Sequence, residues 1–272
     1  MSLVTASRSE LTKQFTTAIW WILGLVLVIY VGLTAAGFAL LLTSLATGAL
    51  GGTETPLVPS DSLPSVIYST ATSFGYVFPL LVGTLMVTTE FRHKTLTPTF
   101  LAVPRRGVAL AAKVVIGVVM GLVFGVLGLV ATVGPGAVIL AASGLETGLA
   151  SSDTWALAGR MLLAFVLWTL VGIGVGSVVR NQVVAIVIVL AFTQFIEPLV
   201  RLAGGFVEGL QPVINALPGA AGDALVGASA FSLGMPTATD PLSWWGGGLV
   251  LLAYALVFVV LGQFTSWRRD VN

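Results

Sequence analysis

Six long apolar runs constrain this chain more than any other feature of it. They occupy residues 18–45, 63–88, 108–142, 155–179, 183–199 and 243–264. A helix needs about 20 apolar residues to cross a hydrocarbon core about 30 Å thick. Each run meets or approaches that length without the short alternation of barrel strands. The expected fold is therefore an all-α membrane protein, with the 272 residues forming a single transmembrane domain. Composition agrees: 57% of residues are hydrophobic and 8% charged, against about 25% charged in a soluble domain. A water-soluble enzyme or binding module is excluded, because so few charges could not keep a folded surface hydrated. The first run is too long, and too polar in its approach, to be a cleaved leader, so it is expected to remain as a helix.

The remaining totals exclude several chemistries. A formal net charge of +1 gives no field for nucleic acid. There are no cysteines and one histidine, His93, so thiolate and multi-histidine metal sites are excluded. No metal or catalytic constellation is expected. The glycine-rich stretch Val171 to Ser177 lies inside an apolar run with no preceding strand, so it is not a nucleotide loop. Its Gly172 and Gly176, four residues apart, instead form a small-residue face for close helix packing. No G-x-x-x-x-G-K-[ST] motif is present, so the chain is not expected to hydrolyse ATP itself. The runs carry almost no ionisable residues away from their ends, which argues against an ion-coupled pump.

Basic residues orient the spans. With the N-terminus inside, ten of the twelve Lys and Arg fall on the cytoplasmic side: Arg8, Lys13, Arg92, Lys94, Arg105, Arg106, Lys113, Arg180, Arg268 and Arg269. Six spans with both termini cytoplasmic follow. Trp20, Trp21 and Trp267 fall near inner ends, and Trp155, Trp244 and Trp245 near outer ends, as an interfacial belt would require.

Three polar stretches separate or precede the spans. Residues 1–17 contain Ser7-x-x-Glu10, a capping-box pattern, followed by Leu11 and Phe15 on one face with Glu10 and Lys13 off it. The expectation is a short interfacial helix on the inner surface; the alternative is a disordered tail. Residues 200–242 are broken by Pro212, Pro218 and Pro236, and short helices dipping into the outer leaflet are expected at 200–207 and 213–217. The cytoplasmic stretch 89–107 holds Thr97-Pro98, a helix start, and Pro104, a helix stop. Between them a rigid helix, 98–103, presents Phe100 and Leu101. It reads either as a docking knob for a soluble partner or as a helix folded against its own bundle. A Glu90–Arg92 or Glu90–Lys94 pair is expected to hold the loop's shape. The third run is expected to break at Gly134-Pro135-Gly136.

The stretch Glu90-x-Arg92-x-x-Thr95, then Leu101-x-x-Pro104-Arg105-Arg106 and Lys113, resembles the loop between the second and third helices of ABC-2-type transporter permeases. The opening Ser9-Glu10-Leu11-x-Lys13 before Trp20-Trp21 is also similar, as is the six-span layout with a helical region between the last two spans. Lys94 departs from the family pattern, which often has glycine before the threonine. The resemblance implies a bacterial plasma-membrane subunit that pairs with a second permease copy, as a homodimer, and with two copies of a separate ATP-binding subunit. ATP and Mg would be held by that partner. Pro98, Phe100, Leu101, Pro104, Arg105 and Arg106 would form the ATPase-coupling element. Glu90, Arg92 and Thr95 would brace the loop, and the interfacial helix with Glu10, Leu11, Lys13 and Phe15 would pass the same motion to the first span. The implied task is export of a hydrophobic or amphipathic compound, such as a drug, antibiotic, peptide or lipid-linked molecule. The alternatives are an ATP-independent secondary transporter or channel, and a non-transporting scaffold or sensor.

Overall fold

A computed structural model describes residues 2–48, 59–95, 99, 101, 105–204, 209–233 and 242–267. Among the described residues there is no strand. Six helices are long and apolar enough to cross a membrane: Ile19–Ala46, Ser60–Arg92, Arg106–Ala142, Ser152–Val178, Gln182–Gly204 and Trp244–Thr265. They are called the first to sixth spans below.

The N-terminal helix, Leu3–Thr16, starts earlier than its sequence pattern predicts. Ser2 is the cap, its hydroxyl accepting from Thr5 N at 3.3 Å. The Ser7-x-x-Glu10 pattern therefore lies within the helix, and Glu10 is free for another role. Ala6 and Glu10 face the bundle, while Leu11 and Phe15 are about two-fifths exposed. An apolar face turned away from the protein suits a helix lying on a lipid surface. Trp20 ties this helix to the first span: its ring meets Phe15 edge-on at 4.9 Å and its Nε1 donates to Phe15 O at 3.3 Å.

The second span is assembled from a short 3-10 turn, Ser60–Ser62, and three helices, Leu63–Tyr68, Thr70–Gly75 and Val77–Arg92. Pro64 and Pro79 each fall in the first turn of a helical piece, where the missing donor has no partner to lose. The third span is continuous from Arg106 to Ala142 with Pro135 inside it, so the expected break at Gly134-Pro135-Gly136 does not occur. Packing explains this. A Cβ on Gly136 would come within 2.8 Å of Ile67 Cγ2 and 3.0 Å of Tyr68 Cε1, so the start of the second span lies hard against the helix at the proline and holds it in line. The fifth span runs past Leu199 to Gly204 through a π-helical turn, Phe192–Ile196. Of the helix expected over 200–207, residues 200–204 are thus the tail of that span, in a helical piece beginning at Glu197, and residues 205–207 lie outside the described residues. Beyond it lie two short helices, Gln211–Ala216 and Pro218–Val226. The second was not anticipated, because Pro218 reads as a breaker but occupies the first turn of the helix.

The second and fourth spans form the core. In the second span 83% of the most apolar window is buried; in the fifth and sixth the figure is 22%. The fourth span packs against the second, third and sixth. Glycine makes these approaches possible. A Cβ on Gly172 would overlap Leu80 O, one on Gly83 would overlap Thr169 O, and one on Gly176 would meet Thr84 O at 2.6 Å. Hydroxyls in this core fold back on their own helices, with Thr84 donating to Leu80 O at 2.8 Å and Thr169 to Phe165 O at 2.9 Å. Polar side chains there are satisfied without opening the interface.

Candidate functional site

Charge is concentrated in two buried clusters, at the C-terminal end of the second span and towards the C-terminal end of the fifth. In a six-span chain of alternating direction these ends lie on opposite faces of the bundle.

The first cluster joins the N-terminal helix, the second span and the third span. Lys113 is 0% exposed. Its Nζ donates to Glu10 Oε2 at 2.7 Å, approaches Glu90 Oε1 at 3.0 Å, and lies 3.4 Å from Met86 O. Lys13 Nζ donates to Glu10 Oε1 at 2.6 Å and to Glu90 Oε1 at 2.9 Å. Two carboxylates and two ammonium groups leave the cluster formally neutral. Burial pushes the Glu10 carboxyl up, but Lys113 and Lys13 outweigh it and hold the group below its ordinary value. The Lys13 ammonium is held above its ordinary value: burial opposes this, and Glu10 and Glu90 override it.

The cluster reaches into the loop that follows. Lys13 Nζ also donates to Thr99 Oγ1 at 3.4 Å. Thr99 in turn donates to Thr95 O through its amide at 3.2 Å and its hydroxyl at 2.9 Å. Thr95 N donates to Glu90 O at 3.0 Å and Lys94 N to Phe91 O at 3.3 Å. These two bonds close the second span as a Schellman motif, with Lys94 in the left-handed region at φ 55°. A lysine there sacrifices about 1–2 kcal/mol relative to glycine, and the turn forms nonetheless. Glu90 thus pairs with Lys13 and Lys113, not with its sequence neighbours Arg92 or Lys94. Arg92 is exposed at the end of the span. Local spacing pointed to neighbours on an exposed loop, whereas Glu90 is inside the bundle.

Of the proposed coupling residues, Pro98, Phe100 and Pro104 lie outside the described residues. Leu101 is helical and 79% exposed. Arg105 precedes the third span and Arg106 is its first residue. Gly172 and Gly176 face the second span, as described above.

The second cluster was not expected from the sequence, in which Glu197 falls at the end of the fifth apolar run and Asp223 in the region 200–242. Arg201 Nη1 donates to Asp223 Oδ2 at 2.7 Å, and its Nη2 lies 3.2 Å from Glu197 Oε1. The same Oε1 accepts from Ala220 N at 3.0 Å. Glu197 is 1% exposed. The Arg201 guanidinium sits 5.7 Å from the centre of the Phe231 ring. Tyr76, midway along the second span, donates to Thr193 O at 3.0 Å and lies against Trp168 at 4.5 Å. The helix Pro218–Val226 therefore enters the bundle, carrying Asp223 with it. The spacing Glu197-x-x-x-Arg201 was a readable helical ion pair; no local signal marks Asp223. Both clusters lie towards the ends of their spans, and the sequence did not indicate that they are paired within the bundle.

Among the described residues no group of acidic or histidine side chains could hold a metal ion. No family model matches the chain, and no curated protein matches it either. Six helices of membrane-crossing length and composition define a multi-pass helical membrane protein.

Proposed function

We propose that this chain is the membrane subunit of an ATP-driven exporter of the ABC-2 type, acting as a dimer with two copies of a separate ATP-binding subunit in a bacterial plasma membrane. The observation that carries the reading is the four-charge cluster of Glu10, Lys13, Glu90 and Lys113. It links the surface helix, two spans and the loop at Thr99. A transmission element must be stiff, because a compliant loop would absorb displacement instead of passing it on. Three buried charges cross-linked with the half-exposed Lys13 give that stiffness, since removing either lysine leaves two carboxylates sharing one ammonium group. The Glu90 end of the bundle is then cytoplasmic, both termini lie inside, and the exposed Leu101 with Phe100 enters the partner ATPase. The cargo is a hydrophobic or amphipathic compound.

The buried Glu197, Arg201 and Asp223 favour a second reading, an ATP-independent transporter, because intramembrane charges commonly mark ion pathways. Co-purification with an ATPase separates the two. In the reconstituted complex, Phe100→Asp with Leu101→Asp is expected to abolish substrate-stimulated ATP turnover while insertion and thermal stability stay at wild-type values. Unchanged stimulated turnover in the double variant refutes the docking role.

A further inference from the structure

The two charge clusters differ in balance, and the difference marks a binding site. Around Lys113 the charges cancel. Around Arg201 one guanidinium serves two carboxyl groups, so this cluster holds one acidic group more than it has bases. Asp223 is satisfied by Arg201 and by the Ser229 hydroxyl. Glu197 is not. Ala220 N and the Arg201 donors converge on its Oε1, while its buried Oε2 accepts no hydrogen bond among the described residues. Glu90 Oε2 is likewise unbonded, but there two ammonium groups match the two carboxylates, and of the two only Glu197 lines a cleft. Glu197 lines a cleft shared with Ser73, Tyr76, Arg201 and Phe231. A buried carboxylate oxygen without a donor is costly, so such a group is expected to have a partner that comes and goes or a bound water.

We propose that this cleft binds the primary ammonium group of an amphipathic ligand, with Glu197 Oε2 as its acceptor. Charge argues for a cation, since one positive group balances the surplus acidic group. Size argues for a primary ammonium: the cleft has room for one water-sized group, which admits –NH3+ and excludes a trimethylammonium head. The surroundings argue for an amphipathic body. Phe231 lines the cleft and packs on Phe74 at 5.0 Å, which packs on Phe38 of the first span at 5.7 Å, so the surface beside the cleft is aromatic and suits a hydrophobic body. Gly219 is required at the back of the cleft, because a Cβ there would overlap the Glu197 carboxylate. This inference deepens the exporter reading and rests on it only for the ligand's being cargo.

The test is titration calorimetry on the intact chain in nanodiscs of uncharged lipid, with empty discs subtracted and no nucleotide or ATPase present. The probes are phenethylamine, phenethyl alcohol and phenethyltrimethylammonium. The wild type is expected to bind the amine about tenfold or more tightly than either analogue, the difference made by one charge-assisted hydrogen bond to a buried carboxylate. Glu197→Gln keeps an acceptor for Ala220 and Arg201 but removes the surplus acidic group, and is expected to erase the preference. Equal binding of the three probes by the wild type overturns the proposal. So does a preference that survives in Glu197→Gln protein eluting as the wild type does. If that variant does not fold, the wild-type comparison alone decides. Amine selectivity in a chain that neither co-purifies with nor stimulates an ATPase would defeat the exporter reading and leave this site standing; ATPase coupling without amine selectivity would do the reverse.

Discussion

Lys113 shows how a single residue can be indispensable to the structure without taking part in any chemistry. It is enclosed by Glu10, Glu90 and Met86 O, so its truncation leaves two buried carboxylates with only the half-exposed Lys13 between them. Lys113→Met is expected to destabilise the protein by about 3–5 kcal/mol, the range for breaking one side of a buried pair. Adding Glu10→Met restores formal neutrality, leaving Lys13 with Glu90, and should recover a substantial part of that loss. Thermal unfolding of both single variants and the double variant in detergent gives the coupling. Additive effects would mean the charges do not act as a unit. Legibility at this scale was uneven. Glu10, Lys13 and Glu90 could be singled out because they stand in polar stretches. Their mutual contact could not, because Glu10 and Glu90 are far apart in the chain and only the docking of the N-terminal helix unites them.

At the scale of elements, close backbone approach decides where the helices sit. The fourth span meets the second across Gly83, Gly172 and Gly176, so even one methyl group there forces the helices apart. Gly172→Ala is expected to cost about 1–3 kcal/mol through overpacking. Gly37→Ala, in a first-span position with open space around its Cβ, is expected to be neutral or to stabilise by about 0.5–1 kcal/mol, because alanine loses less backbone freedom than glycine. Melting temperatures of the two variants side by side check the contrast; equal shifts would contradict the packing account. The glycine spacing on the fourth span was visible in the sequence, because a four-residue repeat maps onto one helical face. The continuity of the third span through Pro135 was not, since it depends on Ile67 and Tyr68 pressing against Gly136 from another part of the chain.

For the molecule as a whole, the cluster of Glu10 and Lys13 predicts a pH dependence of defined sign. Glu10 is held below its ordinary value by Lys113 and Lys13. Its contribution is therefore complete above the unfolded-state value of about 4.3 and is lost as pH falls through the lower folded-state value. Lys13, held above its ordinary value, contributes fully below about pH 10.4 and loses its effect as pH rises beyond that. Stability should be level across neutral pH with an acid decline below about pH 4. Glu10→Gln should flatten that decline, which thermal melts across an acid pH series would reveal; an unchanged acid limb would remove Glu10 from the account.

By itself, the sequence determined that this is a helical membrane protein with six helices of spanning length, and it pointed to a helix before the first of them. Both conclusions follow from hydrophobic length and helical periodicity, which act within a segment and need no knowledge of its neighbours. Only the tertiary structure decided which charges are paired and which buried carboxylate oxygens, those of Glu90 and Glu197, are left without a donor among the described residues. Asp223 reaches Arg201 because the helix Pro218–Val226 folds back into the bundle. Lys13 and Lys113 share Glu10 and Glu90 because three separate segments converge. Electrostatic partnership depends on distance in space and on the local dielectric, and neither quantity exists until the chain has packed.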